Sequence, residues 1–579
     1  MSHPASAGVT DPQLAVLLEE HWESMMKRWP TWATKLGDHR YDDRLADNTP
    51  EAWAATRAGA SEWLDKVNAI DISTLSHTDQ LTWQVLHSEF ATAKAKAICH
   101  TEQWQVSPMG NAFSQLNHLG DLHALSSEED GDNLLARYRA IPAYMDGAIA
   151  SLQLGIQAGR VPSQESVRRT LDIINAELNR APENWALMGP YSAELPKWKA
   201  ESKEQFRSAL SEAVESHVRP AYTRYRDFLA HTLLPVSRGP EQAGVSALPE
   251  GQACYAAAIQ EHTTLTMTAQ EIHDTGLREL ESIHAEFVAL GDTLWAEASL
   301  QAIFTRLRTD KALFFETSQG VQDKADEALA RANAAVPEWF GVLPKTPCIV
   351  VPIPEFEARY STIAYYRPPH TDGSKPGEYY INTLDPHTRP RHEAEVLAYH
   401  ESVPGHHLQI AIAQEQDALP MIRRHIRPNA YIEGWALYTE RLADEMGLYS
   451  TDLDRMGMLS FDAWRASRLV VDTGLHAMGW SRSQAIEFME ANTPLAKNNI
   501  DNEVDRYMSW PGQALSYKLG QLEIQRLRAH AKQQLGEAFS LPGFHDAVLQ
   551  IGAVPLPVLQ RHIAHWITQQ RPETTATPQ

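Results

Sequence analysis

The sequence predicts a mainly α protein with one small β-sheet, and three observations carry that prediction. Apolar residues return at three- and four-residue intervals through most of the chain, as one buried face of a helix requires; Leu134, Tyr138, Ile141, Tyr144, Met145 and Ile149 show the spacing. Ala, Leu, Glu and Gln, which lose little freedom in a helix, are abundant in the same stretches. Only between about residues 346 and 383 does the pattern change to β-branched and aromatic runs.

Taken in order, Pro12 to about Pro235 reads as helices separated by the turn signals Asp47-Asn48-Thr49-Pro50, Ala181-Pro182-Glu183 and Gly189-Pro190. The Pro- and Gly-rich stretch from Leu234 to Gly251 is the best boundary. It divides an N-terminal helical region, 1–240, from a catalytic region, 241–579, the two forming one large two-lobed body. Helices resume after Thr268. Strands are expected at Cys348–Ile353, Ser361–Tyr366 and Glu378–Asn382, with the turn Asp372–Gly377 between the last two. From Arg391 to Gln569 the pattern is helical again.

Composition narrows the function classes. A chain of 579 residues, 43% hydrophobic and 22% charged with 16 tryptophans, is folded rather than disordered. Its net charge of −23, from 51 basic against 74 acidic residues, repels nucleic acid and anionic membranes. No window of about 18 apolar residues offers a membrane span. The N-terminus lacks a basic segment followed by an apolar one, so a cytoplasmic protein is expected. Cys99, Cys254 and Cys348, odd in number and widely spaced, suggest no disulfide framework and a reducing compartment where they pack as small hydrophobes.

The chemistry concentrates in His400-Glu401-Ser402-Val403-Pro404-Gly405-His406-His407. In the zinc motif H-E-x-x-H two histidines one turn apart reach one ion and the Glu acts as base. Here Pro404 stands where the second His belongs. On a straight helix His407 would share the face of His400 but lie roughly 10.5 Å further along, too far for one ion. Pro404 clashes with the carbonyl four residues back, that of His400, and Gly405 permits unusual backbone angles. A break there would swing His406 or His407 back to His400, and the spacing does not choose between them. Glu433 is the candidate third ligand, on a helix capped near Asn429 and ending by Gly447. Glu440, two turns on, faces the same side and would orient a ligand histidine.

Three blocks in order, Tyr399 to Gln409, Glu433 to Glu440 and Tyr507 to Gly520, resemble the bacterial family called domain of unknown function 885. The resemblance covers most of the chain after its first forty or so residues. That family is similar to helical zinc peptidases of the thimet oligopeptidase and angiotensin-converting enzyme type, which implies a helical body split by a deep cleft and one zinc ion. Glu401 is then the general base. Tyr517 and Lys518 are the candidate oxyanion donors, Tyr517 preferred, with Arg506 and Tyr507 nearby; Arg506 and His476 also count as catalytic candidates and Lys518 as a substrate-binding one. Arg465, Arg468, Asp472 and His476 fall on one helical stripe, as a cleft wall in which Asp472 fixes a histidine or as a surface ladder of ion pairs. Tyr380 and Asn382, on a strand read as a sheet edge, are candidates to bind an extended peptide. The expected function is zinc-dependent cleavage of short peptides, by an oligopeptidase or carboxypeptidase. A zinc amidase acting on a non-peptide amide and a non-catalytic peptide binder are the alternatives.

Overall fold

The computed structural model describes residues 4–354, 358, 362–369 and 375–571. Helices of all kinds make up 73% of the described residues, with a small three-stranded mixed sheet, as the periodicity predicts. In the N-terminal half the helix Glu128–Gln157 starts on a capping box between Ser127 and Asp130. Its Leu134, Tyr138, Ile141 and Met145 are fully buried, in an apolar cluster drawn entirely from residues 106–233.

The elements that build the site are labelled α1 (Gly251–Thr263), α2 (Ala269–Trp295), α3 (Ser318–Ala335), β1 (Cys348–Pro352), β2 (Ala364–Arg367), β3 (Gly377–Ile381), α4 (Ala394–Glu401), α5 (His406–Gln414), α6 (Asn429–Glu445), α7 (Asp452–Ala477), α8 (Lys497–Ser509) and α9 (Ser516–Leu535). The sheet order is β1-β3-β2, with β1 parallel and β2 antiparallel to β3. β3 is therefore the central strand, paired on both sides. The expectation that Tyr379 to Asn382 forms an edge open to a peptide is corrected on that ground. Ser361 and residues 372–374 of the Asp372–Gly377 turn lie outside the described residues.

The sheet, α3, α4, α6 and α9 contribute to one apolar cluster that includes Tyr379, Ile381, Tyr399, Trp435 and Ile524. Helices α2 and α7 pack along each other, as do α6 and α9. The second pair meets backbone to backbone. A Cβ on Gly434 would lie 2.4 Å from Cα of Gly520, and one on Gly520 would lie 1.9 Å from the Ala430 carbonyl oxygen. Only two glycines allow that approach, and it brings the helix carrying Glu433 against the helix carrying Tyr517.

The cysteines depart from expectation. Cys99 and Cys254 form a disulfide, with Cα atoms 4.8 Å apart across 155 residues of sequence, and Cys348 is free. Separation along a chain says nothing about separation in the fold, which is why spacing misjudged the pair. Among the described residues no helix is long and apolar enough to cross a membrane.

Candidate metal centre

The helix does break where the sequence demands it. α4 ends at Glu401, the Val403–Pro404 peptide is cis, and α5 begins at His406. The chain folds back so tightly that a Cβ on Gly405 would lie 2.0 Å from the His400 carbonyl oxygen. Two bonds fasten the break: Trp435 Nε1 donates to the Pro404 carbonyl at 3.0 Å, and the His407 N–H to that of Ser402 at 3.0 Å. As a result the His406 ring stands nearly perpendicular to that of His400, with centroids 4.8 Å apart.

Glu433 on α6 completes a triad. One ligand atom from each of His400, His406 and Glu433 lies within 4.8 Å of the others. Glu433 Oε2 is 3.7 Å from Nε2 of His400 and 3.5 Å from Nε2 of His406. Donors about 2 Å from one tetrahedral ion are roughly 3.3 Å apart, so the spacing fits. Two imidazoles and a carboxylate with a position left for water form a donor set suited to a catalytic divalent ion. Behind the triad Glu440 lies 2.7 Å from Nδ1 of His400, which fixes the tautomer that presents Nε2. Burial opposes charge on His400, but the adjacent Glu433 and Glu440 carboxylates outweigh it and hold its pKa up at about 9. Burial also works against ionised Glu433, and its hydrogen bonds to the two histidines reverse that, holding the carboxylate well below its ordinary range.

Two more groups border the triad. Glu401 is half-buried beside Cys348 and Tyr379 of the sheet, and its carboxylate makes no hydrogen bond among the described residues. The Tyr517 ring lies 6.4 Å from that of His400 at an interplanar angle of 20°. Its hydroxyl accepts from Nε2 of Gln513 at 3.4 Å, and the Arg468 guanidinium lies 4.3 Å from its ring centroid.

With this geometry in view, comparison with known proteins adds a family. The profile described as "Bacterial protein of unknown function (DUF885)" matches residues 30–563. The chain belongs to the DUF885 family. No curated protein matches it. Among solved structures, "the putative lipoprotein from Colwellia psychrerythraea" is similar at 27% identity and TM-score 0.90, covering 96% of this chain and 99% of that one. "A putative lipoprotein of unknown function from Shewanella oneidensis" shares the fold at 18% identity and TM-score 0.72, over 95% and 99%.

The DUF885 chain uses several predicted site residues otherwise than expected. His407, the rival of His406, has both ring nitrogens taken, Nδ1 by the Tyr366 hydroxyl at 2.9 Å and Nε2 by the Thr346 carbonyl at 2.9 Å, so it holds the sheet against α5. The stripe on α7 is wholly buried and is no surface ladder. His476 accepts from the Val245 N–H and donates to the Tyr507 carbonyl, which leaves it no catalytic nitrogen. Asp472 fixes no histidine; it accepts from the Tyr255 hydroxyl and the Gly512 N–H. Lys518 is 2% exposed and its ammonium is paired with Asp462 and Glu279 rather than turned to the triad. Arg506 is bound to Glu503 and Gln513 rather than to the triad. Asn382 donates to the Ala358 and Thr362 carbonyls, and Tyr380 stacks on Tyr365 in mid-sheet. Sequence reasoning missed Glu503, Gln513, Trp435 and Tyr366 as supporting groups. Only Glu503 gave a signal, three residues before Arg506 on one helix.

Proposed function

We propose that this protein is a zinc-dependent hydrolase of short peptides, with Glu401 as general base. The observation that carries the reading is the triad of ligand atoms within 4.8 Å, with a carboxylate on the residue that follows His400 that makes no hydrogen bond among the described residues. A divalent ion held by His400, His406 and Glu433 would supply Lewis acidity, polarising a carbonyl and making water acidic near neutral pH. Glu401 takes the proton of the attacking water and returns it to the leaving amine. Tyr517 donates to the oxygen on which charge develops. Glu440 keeps His400 turned toward the centre throughout. A binding protein has no use for an unpaired base at this position, which favours catalysis over binding alone.

The test is zinc content, then turnover of a mixed peptide library with and without chelator. One ion per chain is expected, and Glu401→Gln should keep it while turnover falls by about 10² to 10⁴. Zinc without peptide cleavage, but with cleavage of simple amides, would move the substrate to a non-peptide amide. A chain that takes up no zinc overturns the reading.

We further propose that the protein works outside the cytoplasm. The Cys99–Cys254 disulfide suits an oxidising compartment, and the two similar structures are of proteins described as putative lipoproteins. Fractionation of cells producing the protein should place it in the envelope; recovery from the cytosol with three free thiols would contradict this.

A further inference from the structure

Gln513 stands in the short turn Gln513–Leu515 between α8 and α9, and nothing in the ligand set assigns it a role. Its orientation is decided by chemistry. The Arg506 guanidinium only donates, so the Gln513 atom 2.7 Å from Arg506 Nη1 is the amide oxygen. That turns the amide nitrogen to the Tyr517 hydroxyl. An amide nitrogen also only donates, so the phenol oxygen must accept, and its own proton is uncommitted among the described residues. Arg506 in turn is fixed by Glu503 at 2.9 Å. The turn is anchored from below, where the Gly512 N–H reaches both Asp472 oxygens at 3.1 and 3.2 Å.

We infer that Gln513, oriented by Arg506, is a positioning residue that reserves the Tyr517 proton for the oxygen of the scissile carbonyl. This rests on the hydrolase reading above. A cation donating to the amide oxygen strengthens the amide as a donor, and an accepting phenol is a stronger donor in its turn. Arg468, lying over the ring and bonded to Tyr507 and Glu503, holds the tyrosine from behind.

Gln513→Glu tests the sense of the relay, because a carboxylate of the same size still pairs with Arg506 but accepts from Tyr517 and takes its proton. With zinc-loaded protein, kcat should fall about 10- to 100-fold while KM stays within about two-fold, the pattern of an interaction lost only in the transition state. Tyr517→Phe should lose as much, and Gln513→Glu should add almost nothing in that background. Calorimetric binding of a phosphinic peptide, a stable tetrahedral analogue, should weaken by the same factor, with zinc content unchanged. Gln513→Leu removes both the bond donated to Tyr517 and the one accepted from Arg506 but supplies no acceptor for the phenol proton; it should lose less, and it carries the test if the Glu variant does not fold. Unchanged kcat in whichever variant folds, or an undiminished loss in the Tyr517→Phe background, overturns the inference. A wild type that cleaves neither peptide nor amide instead overturns the hydrolase reading, and the relay with it.

Discussion

At the scale of single residues, two adjacent histidines with the same side chain have opposite duties. His406 faces Glu433, whereas His407 is tied by both nitrogens to the sheet. His406→Ala should therefore abolish stoichiometric zinc with little change in the fold of the apoprotein. His407→Ala should keep zinc but lower stability by about 1 to 3 kcal/mol, since it orphans a buried hydroxyl and a carbonyl. Metal analysis beside denaturant melts separates the two. Asp472 gives a pH prediction. Burial pushes its pKa up to about 7, against the hydrogen bonds of Tyr255 and Gly512. A carboxyl raised in the fold binds its proton more tightly there than when unfolded. Its contribution is complete below an unfolded pKa of about 4 and is lost as pH rises through about 7. Asp472→Asn should remove that part of the slope, on the order of a few kcal/mol, and thermal melts from pH 4 to 8 would measure it.

At the scale of elements, the break between α4 and α5 was legible because Pro404 and Gly405 cannot both continue a helix that must bring histidines together. The helix bearing Glu433 was legible from its periodicity and from Gly447, which lies at a φ of +68° just past its end. The choice between His406 and His407 was not, because it depends on Tyr366 and Thr346, which pack there only once the sheet exists. The order of the strands was equally hidden: pairing of β1 with β3 across 24 intervening residues leaves no local mark, so the middle strand looked like an edge. Nor did the stripe on α7 reveal that it would be buried. The meeting of α6 and α9 through Gly434 and Gly520 makes its own prediction. Gly520→Ala must push the helices apart, costing about 2 kcal/mol or more. It should also slow turnover by separating Tyr517 from the triad. Melts and kcat should fall together, and a variant with full stability and rate would show that the contact is dispensable.

At the scale of the molecule, the two halves of the chain are stitched together close to the site. Ser166 meets Ser509 at 2.6 Å, Arg169 pairs with Asp505 at 2.6 Å, and Gln105 donates to the Ser509 carbonyl at 3.3 Å. The Cys99–Cys254 bond adds a covalent stitch. Alkylation in denaturant should find one thiol before reduction and three after it. Cys99→Ser should lower stability by about 5 kcal/mol in the chain-entropy account of so long a loop. Cys254 belongs to α1, whose Tyr255 holds Asp472, which holds Gly512 next to Gln513. Scissors applied near residue 240 would thus not liberate a self-sufficient second half: the first half is part of the jig that keeps the tyrosine in register. An oxidising or reducing milieu would be felt along that line before it was felt at the His400, His406 and Glu433 triad.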